Sequence, residues 1–171
     1  VIGEEITYLH SGLFCDDSLL ESITINCDLE FLGVGTFYNT PGLNSVALNG
    51  SIEYIFGFTD VFNDDFYTWL TPLEKEQIMY YGAFESCGAE NYVLPDGVKY
   101  IGPAVFGGFC EPESLSLPST LEKIADDFIG SGKTPVITMR DGGSNAYFDV
   151  GQALIAKGAA ADGGDRLIKF A

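Results

Sequence analysis

Six aliphatic residues, Leu9, Leu32, Ile55, Ile78, Ile101 and Ile124, follow one another at a spacing of 23 residues. A fixed period of this length leaves few architectures open. A chain that repeats one short unit buries its apolar side by stacking copies of it, so the expectation is a solenoid of coils. Other columns keep the register. Ile6, Leu29, Ile52, Val98 and Leu121 form one, with Lys75 as its misfit. Ile23, Val46, Trp69, Tyr92 and Leu115 form a second, and Ile2, Ile25, Leu48, Thr71, Leu94 and Leu117 a third, two residues further on. Residues two apart in an extended segment point to the same side, so the last two columns predict one short strand per coil with two inward side chains.

Leu20, Leu43, Phe66 and Ala89 precede that strand by three residues and complete an L-x-x-L-x-L phrase, the leucine-rich-repeat signature. The later half of the coil reads Val98-x-x-Ile101-Gly102-Pro103-Ala104-Val105-Phe106, Leu32-Gly33-Val34-Gly35-Thr36-Phe37 and Leu9-His10-Ser11-Gly12-Leu13-Phe14, with Leu94-Pro95 and Leu117-Pro118 at the strand ends. This pattern resembles the BspA-like leucine-rich repeats over about residues 1–132. The resemblance implies the α/β repeat class: a right-handed leucine-rich-repeat solenoid, mainly short parallel strands with turns and little helix. About five to six coils fit that stretch, with residues 133–171 as a C-terminal cap or docking extension. The pattern departs where Thr71, Lys75 and Ala83 replace apolar residues, and where Asp60 occupies the Phe column, leaving Phe58, Val61 or Phe62 to fill it.

An apolar fraction of 46% supplies a continuous core, and the formal charge of −17 is unevenly spread. Residues 1–132 carry 21 acids against Lys75, Lys99 and Lys123; residues 133–171 carry four acids and five bases. Such an acidic body repels phosphate, which excludes nucleic-acid binding by the repeats. No apolar run approaches the roughly 18 residues of a membrane-spanning helix. Ile2 already stands in the Ile25 column, so the chain opens inside a coil. That start fits a processed product, a fragment of something longer, or a first strand covered by another chain.

The residues that often carry chemistry do not converge. Cys15, Cys27, Cys87 and Cys110 form no C-x-x-C pair and His10 is the single histidine, which argues against structural zinc. Cys87 and Cys110 stand one period apart, within reach of a disulfide, but the family motif carries an inward cysteine after its Phe, and free buried thiols are the expectation. Gly130-Ser131-Gly132-Lys133-Thr134 imitates the end of a phosphate-binding loop, yet the required first glycine is Asp127 and Pro135 follows, so a solvated turn is expected. Asp16-Asp17, Asp64-Asp65 and Asp126-Asp127 read as loop acids. Asp60, Asp64 and Asp65 leave room for weak calcium binding only, since Phe62 breaks the calcium-loop pattern. Asn49-Gly50-Ser51 is a glycosylation sequon. No catalytic, cofactor-binding or metal residues are expected.

The strand side facing away from the core is small and uncharged: Ser22, Thr24 and Asn26, Ser45, Ala47 and Asn49, Thr68, Leu70 and Pro72, Asn91, Val93 and Pro95, and Ser114, Ser116 and Pro118. A column of Glu21, Asn44, Tyr67, Glu90 and Glu113 borders it. The expected binding face is therefore Glu21, Thr24, Asn44, Ala47, Tyr67, Leu70, Glu90, Val93, Glu113 and Ser116, with a host, matrix or assembly protein as partner. By resemblance this is a non-enzymatic module for adhesion at the cell surface or after secretion. The alternative is a structural subunit of a cell-surface layer or virion, anchored through its tail. In that tail Ile137 and Met139 fall one residue out of register, as a slipped strand. Asp149 to Gly158 reads as a short helix, Asp162-Gly163-Gly164-Asp165 as a turn, and Leu167 to Phe170 as strand-like.

Overall fold

The computed structural model describes residues 1–3, 5–57, 81–108, 112–125, 128–129, 135–140, 159–162 and 167–170. It is a parallel-strand solenoid. One sheet stacks β1 (Tyr8–Leu9), β3 (Leu29–Leu32), β5 (Ile52–Ile55), β7 (Tyr100–Ile101) and β9 (Lys123–Ile124) in that order. The opposite side carries β2 (Ser22–Ile25) paired with β4 (Ser45–Leu48). It also carries a sheet in which β6 (Asn91–Val93), β8 (Ser114–Leu117) and β10 (Val136–Met139) lie side by side. Each full coil thus contributes two strands, which corrects the expectation of one. The Leu29 and Leu32 columns are extended as well, because the chain must turn a second corner to rejoin the stack.

Between the two sides lies one core. Ile23, Ile25, Leu29, Leu32, Ile52, Ile55, Tyr92, Leu94, Val98, Ile101, Leu115 and Leu117 are all 4% exposed or less. Each such side chain stabilises by about 1.5–3 kcal/mol on leaving water, and each touches mainly its column neighbours, so stability accumulates along the stack. Polar side chains repeat the period on the rim: Asn49 Nδ2 donates to Asn26 Oδ1 at 2.8 Å, Asn39 Nδ2 to Asp16 Oδ1 at 2.7 Å, and Ser51 Oγ to Asp28 Oδ1 at 2.9 Å.

At one place the stack and the sequence period part company. Tyr54 pairs with Tyr100 and Ile55 with Ile101, twice the period apart, and these strands are direct parallel neighbours. The six-membered aliphatic ladder is therefore corrected. No rung stands between Ile55 and Ile101, where the period puts Ile78. Ala83 N–H donates to Phe56 O at 3.1 Å, so the coil that breaks off at Gly57 resumes at Gly82. Ile78 itself, with Phe58, Asp60, Val61, Phe62, Phe66, Trp69, Thr71 and Lys75, lies outside the described residues.

The phenylalanine column shows how the period survives on paper. Phe14, Phe37, Phe84 and Phe106 stack in near-parallel planes with centroids 5.3, 5.3 and 5.8 Å apart. Phe84, one residue after the Ala83 that the period selects, is the true member; Ala83 sits in the buried column of Thr36 and Val105. Five residues separate Leu32 from Phe37 and Ile101 from Phe106, but 29 separate Ile55 from Phe84. Eight separate Phe84 from Tyr92, where nine separate Phe37 from Val46 and Phe106 from Leu115. An insertion of 24 residues and a deletion of one leave a net shift of 23, one whole period. The backbone confirms this register: Asp16, Asn39, Ser86 and Gly108, each two residues after its Phe, all adopt positive φ (61°, 54°, 56° and 64°). Asn, Asp and Gly tolerate that left-handed corner best.

The C-terminal part continues the second face. Ile137 pairs with Leu115 and Met139 with Leu117, 22 residues apart, the slipped strand expected from the sequence. β12 (Leu167–Phe170) then pairs antiparallel with β10, and β11 (Ala159–Asp162) antiparallel with β12. Asp162, read as part of a turn, ends a strand. The Asp149–Gly158 segment lies outside the described residues.

Candidate functional site

The outward surface of β2, β4, β6, β8 and β10 is the site that the fold builds. Alternation turns Ile23 and Ile25 inward and leaves Ser22 and Thr24 outward; the same holds for Tyr92 against Asn91 and Val93, and for Leu115 and Leu117 against Ser114 and Ser116. Parallel pairing aligns Ser22 with Ser45 and Thr24 with Ala47, then Asn91 with Ser114 and Val136, and Val93 with Ser116 and Thr138. The result is a neutral strip of short side chains. Val93 is 61% exposed and Val136 39%, two large apolar side chains among the short ones of the strip.

Of the ten residues expected to form the face, eight are described, and they share this side of the molecule. Glu21, Asn44, Glu90, Glu113 and Val93 are exposed, and Thr24, Ala47 and Ser116 half-buried. Tyr67 and Leu70 lie outside the described residues. Backbone bonds join the bordering column within each of the two sheets: Asn44 N–H donates to Glu21 O at 2.9 Å, Glu113 N–H to Glu90 O at 2.6 Å and Val136 N–H to Glu113 O at 2.9 Å. Among the described residues β4 and β6 exchange no ladder bonds. They are joined ahead of the strands, where Gly88 N–H donates to Thr40 O at 3.1 Å. A Cβ on Gly88 would stand 2.3 Å from Pro41 O, so only glycine allows this approach. The far border carries Asn26, Asn49 and Arg140. The Arg140 guanidinium donates to Leu94 O and meets Asp96 Oδ1 at 3.3 Å, which ties two rungs together and neutralises that border.

Among the described residues, Cys27 and Cys87 are buried and Cys15 is half-buried. Burial, reinforced by the neighbouring Asp16 carboxylate, pushes the Cys15 thiol up to about 11, and burial also raises Cys27, so neither is a ready thiolate. Cys87 is buried, with Tyr92 Oη 3.3 Å from its sulfur, and is a free thiol. Cys110 lies outside the described residues. His10 is exposed on the opposite sheet, its ring edge-on to Tyr8 with centroids 4.8 Å apart. Among the described residues no group of three His, Cys, Asp or Glu side chains could hold a metal ion, and no helix is long and apolar enough to cross a membrane. Asp60, Asp64, Asp65, Asp126, Asp127 and the 130–134 turn lie outside the described residues.

Sequence reasoning missed two features on the other side. Tyr8, Phe31, Tyr54 and Tyr100 align across β1, β3, β5 and β7, and Phe31, Val34 and Phe56 form a second small core there with Tyr54 and Tyr100 packed against it. The signal was an aromatic residue just before four of the six ladder aliphatics, Leu9, Leu32, Ile55 and Ile101. At the neighbouring corner Tyr38 and Tyr81 stack with centroids 3.7 Å apart beside Glu85, whose carboxylate accepts Gly82 N–H at 2.9 Å. Burial raises the Glu85 carboxyl above its ordinary value, partly offset by that hydrogen bond.

No curated protein and no solved structure matches the chain. The family model for the BspA type leucine-rich repeat region does match, in six copies over residues 1–65 and 75–142. With the two-strand coil, the Phe stack and the L-x-x-L-x-L strand in place, the chain belongs to the BspA-type leucine-rich-repeat family.

Proposed function

We propose that this chain is a non-catalytic binding module that docks a protein on the outward strip of β2, β4, β6, β8 and β10. The observation that carries the reading is the composition of the strip. Ser22, Thr24, Ser45, Ala47, Asn91, Ser114 and Ser116 present short, neutral side chains on a rigid sheet, so a partner meets little desolvation cost and little side-chain entropy loss. Val93 and Val136 add apolar contact area. Family membership supports a protein-interaction role, and the resemblance extends it to adhesion at a cell surface; fold-level analogy is the warrant for that last step.

Two single changes test it. Val93→Arg and Ala47→Arg put a long cation on the strip without entering the core. A binding protein purified from the natural source on immobilised wild-type chain should be retained much less by either variant, at unchanged thermal stability. Equal retention by all three would place the docking surface elsewhere.

A further inference from the structure

We propose that Tyr38 and Tyr81 form an oxidative cross-linking site. A one-electron oxidant of the peroxidase class, with hydrogen peroxide as the electron acceptor, joins their rings by a carbon–carbon bond and fastens the corner at which the coil broken off at Gly57 resumes at Gly82. Neither residue belongs to β2, β4, β6, β8 or β10, so the site is separate from the docking strip.

The skipped period brings the two tyrosines together. Phe37 N–H donates to Ala83 O at 2.8 Å and Asn39 N–H to Glu85 O at 3.1 Å, so the backbone on both sides of Tyr38 is bonded directly to the segment that follows Tyr81. The rings lie 3.7 Å apart, centroid to centroid, at an interplanar angle of 17°. Rings stacked one rung apart, as in the Phe14, Phe37, Phe84 and Phe106 column, keep 5.3 to 5.8 Å. A centroid distance equal to the contact distance of carbon atoms, about 3.5–4.0 Å, leaves almost no lateral offset, although aromatic pairs prefer an offset or edge-on arrangement. The two hydroxyls are hydrogen-bonded to each other, which points the rings the same way and sets the Cε atoms of one over those of the other. The Cε atoms, ortho to the hydroxyl, are where phenoxyl radicals couple. Burial, the Tyr81 phenol and the Glu85 and Asp16 carboxylates push the Tyr38 hydroxyl above its ordinary value, so it meets the oxidant protonated. Each phenol gives up one electron and its hydroxyl proton, and the two radicals pair into a single Cε–Cε bond. Each Cε hydrogen then moves to the phenol oxygen as the ring regains its aromaticity. One hydrogen peroxide takes up the two electrons and two protons and becomes two waters, so the chain ends lighter by two hydrogen atoms. Both side chains are half-buried: their edges are open to electron transfer, while the facing sides are closed to a tyrosine of another molecule.

The test treats full-length chain with a haem peroxidase and stoichiometric hydrogen peroxide, and reads dityrosine fluorescence together with the cross-linked peptides of a digest. The expected product is a monomeric chain with Tyr38 bonded to Tyr81, in a yield unchanged over about a tenfold dilution, because the reacting rings are already held together. Tyr38→Phe and Tyr81→Phe keep a ring in the stack but lack the hydroxyl, and each should lower the intramolecular yield about tenfold. The linked chain should also unfold at a higher denaturant concentration than the untreated one, since the bond closes a 43-residue span of the unfolded chain. A link from Tyr38 to Cys15, which follows Phe14 as Tyr38 follows Phe37, or to Tyr80 would overturn the proposal. So would coupling only between molecules, equal yields from wild type and both variants, or no dityrosine in the chain while free tyrosine in the same solution couples. An unchanged unfolding midpoint in the linked chain would refute the fastening role.

Discussion

The direct pairing of β5 with β7 can be locked chemically. Tyr54 and Tyr100 are Cα partners on adjacent parallel strands, 46 residues apart in sequence. Adjacent strands run about 4.8 Å apart, inside the range that a disulfide spans, whereas strands separated by an intervening rung stand about 9.6 Å apart, beyond the roughly 7 Å limit. The double variant Tyr54→Cys, Tyr100→Cys should therefore oxidise to an intramolecular bond, identified by peptide mass mapping of the non-reduced chain. Phe31→Cys with Tyr54→Cys, on neighbouring rungs, is the positive control, and Tyr8→Cys with Tyr54→Cys, two rungs apart, the negative one. Closing a loop of this length removes unfolded-state entropy worth about 4 kcal/mol at room temperature. Comparing the oxidised and reduced forms of the same variant cancels the loss of the two rings, so a denaturant titration should show most of that difference. Failure of Tyr54 and Tyr100 to link while Phe31 and Tyr54 do would refute the skipped period and restore a rung between Ile55 and Ile101.

Other consequences of the packing are equally open to measurement. A Cβ at Gly57 would stand 1.5 Å from the Pro103 carbonyl oxygen, so Gly57→Ala must push two coils apart and should cost about 3 kcal/mol in equilibrium unfolding; a neutral effect would contradict that contact. Ala104 holds a φ of 51° in the corner position where Gly12 and Gly35 stand, and Ala104→Gly should relieve about 1 kcal/mol of left-handed strain, read as a higher denaturation midpoint. Acid titration should expose two opposed carboxylates. Burial raises Glu85, so its ionised form costs stability once the pH exceeds the folded value and that cost disappears on acidification. Glu85→Gln should thus stabilise at neutral pH and lose its advantage in acid. Hydrogen bonds from Ser51 lower Asp28, so its contribution is present above the unfolded carboxyl range and fades as the pH falls through the folded value. Asp28→Asn should be the less stable chain at neutral pH only.

The architecture was legible wherever a column of side chains encodes it. Inward positions recur at fixed spacing because each coil must present the same apolar edge to the next, so Leu9, Leu32, Ile101 and Ile124 could be placed without coordinates. The outward strip was legible for the same reason, being the other parity of the same strands. What failed was counting through Ile78. Spacing reports only the net number of residues between two points, and a gain of 24 offset by a loss of one is silent in every column after Tyr92. Phe84 held the clue. A phenylalanine one place out of register beside a small Ala83 marks a shifted coil, since a stacked ring column cannot accept alanine without a cavity, whereas the Thr36 and Val105 column takes a small residue readily. The Tyr8, Phe31, Tyr54 and Tyr100 alignment was missed because an outward aromatic carries no core signal of its own.

A stack tolerates this interruption because of where it falls. Each coil bonds only to the coils beside it, so a segment added at a corner leaves both sheets intact if its two ends meet. Here they do: Phe56 O accepts from Ala83 N–H, and glycines at 57 and 82 let the backbone lie against Pro103 and Ala104, where a Cβ would stand 1.5 and 1.8 Å from their carbonyl oxygens. The same addition inside β5 would have broken the pairing of Ile55 with Ile101, and inside β4 it would have shifted Ala47 off the strip. The compensating deletion between Phe84 and Tyr92 then brings Leu94, Val98 and Ile101 under Leu48, Ile52 and Ile55. The core stays continuous across the break because the corner, unlike either strand, is a place where only the ends of the added segment have to agree.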